Sequence, residues 1–462
     1  MESQQFNPLS AIRHPSPARV HRKFAITGLI AGLAAWCGSA VYSQDVIVRN
    51  DAELNAAFRR PLLPGTTIRI APGVYRGCHT LKDQAGRHGA PIRITALEPG
   101  QPPVFTDSRT EGIKVIGCSH LLIDHLRFEN IRDIGLHVAG GSGNISFSEL
   151  SPSHHICIAD VTILDTGNAE WGNHDAIKIA RTDHFVVRNA VLRGWGAGGG
   201  SAIDVVGCQA GIIEGCHISY PDRRPNGNDS GITLKGGSRD ILVQRNILHC
   251  AGGEAIQIGQ DTGLKFFRDP PGTTLSDGTV MTYEARNVEV AGNWIVDTPV
   301  AVMWMKSENS HVHHNTIVLP GLLASRCSVF KITRAENKGL LRARQAFIAD
   351  NLIVYRYAAL RTDWEPFVRG VATDNPNLTS FHFTGNAWFQ LDAQTQPRCL
   401  PDHVGRLGLP TAESNPVYQI DPELPEADYT SVKLSPADLR VQSCDPRLKT
   451  VGADAYRSEV NQ

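Results

Sequence analysis

The sequence predicts an all-β solenoid, a right-handed parallel β-helix, on three observations. The first is a seven-residue pattern that recurs at Ile134–Gly140, Asp175–Arg181, Ser201–Gly207, Ser230–Gly236, Glu254–Gln260, Val300–Lys306 and Ser328–Arg334. Its third and fifth residues are always apolar, as in Ile177/Ile179, Ile203/Val205 and Ile232/Leu234, which is the alternation of a strand with one buried face. The second is the period: the third residues Ile177, Ile203, Ile232 and Ile256 stand 24 to 29 residues apart, a spacing that indicates stacked repeats. The third is composition, with 43 Gly against 4 Met, which suits a turn-rich architecture.

The elements follow in chain order. Residues 1–43 carry basic His21-Arg22-Lys23 before an apolar stretch from Phe24 to about Val41 that ends in small residues, the pattern of a signal peptide. Residues 44–390 form the β-helix domain. Asp45 to Arg59 reads as a short amphipathic capping helix, and Thr67 to Tyr75 as the first coil. In many coils a second strand ends in Asn, at Asn189, Asn246, Asn293, Asn315, Asn351 and Asn386. Asn tolerates the left-handed conformation of a sharp bend, and stacked copies can form an amide ladder. One step is long, 46 residues from Ile256 to Val302, so a loop is inserted after Gln260 and continues to Tyr283. Residues 391–462 read as an irregular tail packed along the helix.

Composition excludes several classes. The formal net charge of −1 falls to about −4 without residues 1–43, too little positive charge for a nucleic-acid binder. No membrane span is expected once the signal is removed, so the location is secreted or periplasmic and the protein a monomer. Cys118, Cys157, Cys208, Cys216 and Cys250 sit in strand-like runs as core residues; Cys399 and Cys444 are the pair suited to a disulfide. No cysteine or histidine spacing matches a structural zinc site.

Candidate chemistry lies on the outward residues of the repeat. The fourth residues form a column of His137, Lys178, Asp204, Thr233, Gln257, Met303 and Lys331, with Lys235 in the column beside it. Arg181, Lys306 and Arg334 flank this face, making a cationic stripe suited to an acidic polysaccharide. Lys178, Asp204, Lys235 and Gln257 should all face outward on one sheet in consecutive coils, none of them buried. A second cluster, Asn173-His174-Asp175 with Lys178, offers an acid/base group, although Asp175 also suits a strand-opening turn. The inserted loop brings Lys265, Phe266, Phe267 and Arg268 and should wall the groove around Lys235; its deletion should leave stability nearly unchanged.

Thr67-Ile-Arg-Ile-Ala-Pro-Gly-Val-Tyr75, Ala90-Pro-Ile-Arg-Ile-Thr-Ala96 and the coils that follow resemble the pectin-lyase-like superfamily, in particular polysaccharide lyase family 6, the chondroitinase B and alginate lyase group. That resemblance implies β-elimination from a uronic-acid polymer with Lys235, in Gly231-Ile-Thr-Leu-Lys-Gly-Gly-Ser238, as base. It also marks departures: Gln257 stands where the family presents an arginine, and Asn228 and Ser230 where it presents calcium-binding acids, so the cofactor is left unassigned. The catalytic set is then Lys235, His174, Asp204 and Lys178. Arg181, Arg239, Gln257, Glu254, Lys265, Arg268 and Lys331 would bind substrate, and no residue is assigned to a metal. A glycoside hydrolase or C5-epimerase using Asp204, Asp175 and His174, and a non-catalytic carbohydrate-binding surface protein, are the alternative readings.

Overall fold

The computed structural model describes residues 44–141, 146–167, 173–196, 199–220, 229–322 and 327–359, with 368–369, 377–392 and shorter stretches between 417 and 460. Residues 1–43, Asn228, Cys399 and Cys444 lie outside them, and so do the signal peptide, one missing calcium ligand and the disulfide expected there. Among the described residues, no helix is long and apolar enough to cross a membrane.

Among the described residues, successive coils contribute one strand to each of three parallel sheets of 12, 10 and 12 strands, which makes the chain a right-handed parallel β-helix. The first sheet starts at Asp45–Val48, the second at His79–Lys82 and the third at Val74–Arg76. Asp45–Val48 is thus a strand paired with Thr67–Ile70 rather than part of the cap. The helix is shorter, Asp51–Arg59, and begins where the Asn50 side chain accepts the Glu53 N–H at 2.9 Å. Leu54, Ala57 and Phe58 on one helix face close the end of the core.

The repeat pattern maps onto the second sheet, the one that carries the site. Ile177, Ile203, Ile232 and Ile256 stack in register inside the core, and Lys178, Asp204, Thr233 and Gln257 stack beside them outside it. Strict alternation fails at the start of each strand. Ala176, Ala202, Ala255 and Ala301 also point into the core, in a corner so tight that a Cβ at Gly231 would stand 2.5 Å from the Ala255 carbonyl oxygen. Two inward residues in succession turn the first residue of the pattern back outward, which puts Asp175, Ser230 and Glu254 on the same face as Lys178 and Gln257.

The Asn ladder runs where the first sheet bends into the third. Each Asn Oδ1 accepts both the backbone N–H and the side-chain amide of the Asn one coil earlier, from Asn246 to Asn293, Asn315, Asn351 and Asn386, at 2.8 to 3.0 Å. The left-handed bend falls one residue before the ladder, at Arg245, Gly292, His314, Asp350 and Gly385. Asn189 occupies that bend and pairs with Asp160 instead, so it lies outside the ladder. In the tail, Gly452–Val460 forms a helix; Leu448, Val451 and Ala453 pack on Trp294, Val318 and Leu352 of the third sheet. All five cysteines read as core residues are free and buried, but only Cys157 lies in a strand; Cys118, Cys208, Cys216 and Cys250 sit at the bends between strands.

Candidate active site

A groove of about 530 Å³ runs along the second sheet. Its floor carries Lys114, His137, Lys178 and Lys235, and residues 260–263 with Phe266 form a wall. Parallel register sets the order: Lys114, His137, Lys178 and Asp204 occupy consecutive rungs of one column, and Lys235 pairs with Val206 in the next.

Lys178 and Lys235 grip one carboxylate from two sides. Lys178 donates to Asp204 Oδ2 and, at 3.0 Å, to Asp175 Oδ2, while Lys235 Nζ stands 3.0 Å from Asp204 Oδ1 and donates to Gln260 Oε1 at 2.7 Å. Asp204 therefore faces outward as expected, yet with 2% exposure it is buried beneath the lysines it holds. Burial works against its charge, but the two ammonium groups outweigh it and hold the carboxyl below the usual carboxylate range. Asp175 is equally buried and is pushed upward, first by burial and further by the charge of Asp204, against the pull of Lys178. Burial also opposes the charge of Lys178, and its two carboxylate partners reverse that effect, raising its pKa. Two neighbouring aspartates are thus driven in opposite directions by one arrangement.

One rung away, His137 Nδ1 lies 3.1 Å from Glu111 Oε1, and Lys114 donates to the same oxygen at 2.5 Å. Burial, with lesser help from the charges of Lys114 and Lys178, lowers the His137 pKa despite Glu111 and keeps the imidazole neutral. Glu111 resists burial through its bonds to His137 and Lys114 and lies far below the ordinary range. A neutral imidazole oriented by a carboxylate at a groove floor is a competent general base. The sequence placed His137 in the outward column without a role. Glu111, 26 residues upstream in another coil, could be recognised as its partner only once the register was known.

The inserted loop meets its expected position and differs in its attachment. Glu284 closes it: its buried carboxylate accepts the N–H groups of Gly236 and Thr262 at 2.8 and 2.7 Å, fixing the loop to the turn that follows Lys235. Phe266 lines the groove and Lys265 lies 4.8 Å over its ring, whereas Phe267, Met281 and Tyr283 are buried. Deletion would strip that apolar surface from its place, so a loss of stability is expected from it rather than the near-absence of change that the loop's position alone suggested.

Several proposed substrate contacts are committed elsewhere. Arg181 is buried at a left-handed bend and donates to the carbonyl oxygens of Leu150 and Ser148. Arg268 pairs with Asp183 at 2.9 Å and Arg239 with Asp269 at 2.8 Å, so both arginines anchor the loop. Glu254 and Lys331 pair with each other at 2.7 Å. Gln257 faces outward but is buried; its Oε1 accepts from Ser230 at 3.0 Å and from Thr233 at 3.3 Å, which removes it from the arginine's role. The expectation that neither Asp204 nor Gln257 would be buried is therefore corrected: neighbouring side chains one coil away cover what alternation turns outward. His174 is not brought into the cluster. Its ring is buried with Nδ1 3.2 Å from the Gly199 carbonyl oxygen, and Asn173 lines the groove in its stead.

Residues 149–317 match the family model described as right handed beta helix region. No curated protein matches the sequence. Among solved structures, an alginate lyase from Paenibacillus sp. is 14% identical over 82% of this chain and 98% of its own, with a TM-score of 0.43. The A-module of the mannuronan C-5 epimerase AlgE6 of Azotobacter vinelandii is 14% identical over 80% and 94%, with a TM-score of 0.46. A GH136 lacto-N-biosidase from Eubacterium ramulus is 13% identical over 71% and 65%, with a TM-score of 0.41. One is a lyase, one an epimerase and one a hydrolase, so these likenesses do not choose a reaction.

Proposed function

We propose that the chain is an exported polysaccharide-processing enzyme that cleaves a uronic-acid polymer by β-elimination. The observation that carries this reading is the pair of lysines, Lys178 and Lys235, fixed on either side of buried Asp204 at the floor of an open groove. Lys178 and Lys235 share Asp204, and burial pushes the second partner of Lys178, Asp175, toward its neutral form, which leaves cationic groups where a sugar carboxylate would bind. Neutralising that carboxylate is what makes the adjacent C–H acidic enough to lose its proton. Lys235 is held between the Asp204 carboxylate at 3.0 Å and Gln260 Oε1 at 2.7 Å, so it is positioned to neutralise a sugar carboxylate rather than to reach for its α-proton. His137, neutral and oriented by Glu111, is the group suited to abstract the proton. A hydrolase built on Asp175 and Asp204 is less well supported, because both carboxylates lie beneath the lysines. Export rests on the basic and apolar pattern of residues 21–41.

The test is incubation of the purified protein with alginate, chondroitin and pectate. β-Elimination leaves an unsaturated uronide with a new ultraviolet absorbance. Chain shortening with new reducing ends but no such absorbance would establish hydrolysis and overturn the reading.

A further inference from the structure

A different face of the solenoid carries a cluster of histidines that the groove does not use. His120, His155 and His184 occupy the same left-handed bend in successive coils of the first sheet, with φ of 49°, 55° and 52°. Their rings stack, His155 lying 4.5 Å from His120 and 4.8 Å from His184 between centroids. Later coils fill this bend with polar side chains that satisfy one another, as Asn309 donates to Asn287 at 2.6 Å and Asn287 to Asp240 at 2.8 Å. The backbone geometry is therefore structural, and the question is why imidazoles occupy it here.

His154 answers it. Its ring stands edge-on to both His120 and His155, at 89° and 85°, and its Nδ1 faces the Nδ1 of His155 at 3.0 Å. One ligating nitrogen each from His120, His154 and His155 lies within 4.8 Å of the others. We propose that these three histidines form a surface site for a divalent transition-metal cation of the zinc, nickel or copper class, with water completing the coordination. Imidazole nitrogens suit these borderline ions, and three protein ligands leave an open position. Asp183, in register with His154, is held by Arg268, so no carboxylate is supplied and hard cations such as calcium are disfavoured. Bound metal would clasp neighbouring coils, because His120 and His154 come from strands paired through Ser119.

Titration of the full chain with zinc chloride and nickel chloride, followed by calorimetry, tests the site. One saturable equivalent is expected, with a rise in melting temperature from selective binding to the folded state. His120→Ala and His155→Gln should each weaken binding more than about tenfold. His313→Ala, at a separate histidine pair on the same sheet, should leave it unchanged. Melting the apo variants separates ligand loss from misfolding, since His155 is exposed and the Gln variant retains a polar side chain. Cobalt should give the intense visible absorption of a low-coordinate site. Absence of saturable binding, or binding undiminished in both variants, overturns the proposal.

Discussion

Two columns of stacked side chains run along this solenoid, and they differ in one respect. The column at the bend into the third sheet repeats one residue, Asn246, Asn293, Asn315, Asn351 and Asn386, and each copy is satisfied by its neighbours and the backbone. The groove column changes at every rung, through Lys114, His137, Lys178, Asp204, Thr233 and Gln257. Identical residues in equivalent positions solve the same packing problem each time, so repetition reports structure. Where equivalent positions diverge, the stack does not explain the choice, and local chemistry must. The divergent column is also where opposite pKa displacements occur side by side, in Asp175 and Asp204.

Substitutions that separate the columns test this contrast. The largest effect is expected for His137→Ala, which should lower turnover of the uronate polymer by about 10²–10⁴-fold while leaving the melting temperature close to wild type. In the unaltered protein the acid limb of the rate profile should lie below the ordinary histidine range, because burial lowers the His137 pKa and the base stays unprotonated to lower pH. A limb at or above ~6.5 would contradict the assignment.

Asp204→Ala should cost about 3–5 kcal/mol in denaturant unfolding, since it leaves Lys178 with Asp175 alone and Lys235 with the uncharged Gln260 alone. Asn293→Ala in the ladder should cost about 1–3 kcal/mol by leaving the buried N–H of Asn246 without an acceptor, with activity retained. If the ladder variant lost activity while remaining folded, the division between structural and chemical columns would fail.

The smallest effect concerns pH. Asp175 has a raised folded pKa, so its contribution to stability is fully present below the unfolded value of ~3.9 and is lost as pH rises through the folded value. Asp204 runs the other way: its contribution is present above the unfolded value and is lost as pH falls through its lowered folded one. Asp175→Asn should therefore gain stability relative to wild type as pH rises toward neutrality, on the order of 1 kcal/mol, followed by thermal melts across pH. A difference independent of pH would show that Asp175 is ionised throughout.

The sequence by itself determined the solenoid, its period, the outward column and the position of the inserted loop. These are one-dimensional properties: a strand with one buried face must alternate, and stacked coils must repeat. It also placed Lys178, Asp204 and Lys235 on one face, since parallel register follows from the repeat. The fate of each outward residue was decided only in three dimensions. Whether Gln257 meets substrate or Ser230, whether Arg181 faces the groove or the carbonyls of the loop before His154, and whether Asp204 is exposed or roofed by lysines depend on groups arriving from 27 to 33 residues away. Glu111 and His137, or His120 and His154, become partners through the same stacking. Alternation states which way a side chain leaves the backbone; what it meets there is set by its neighbours one coil above and below.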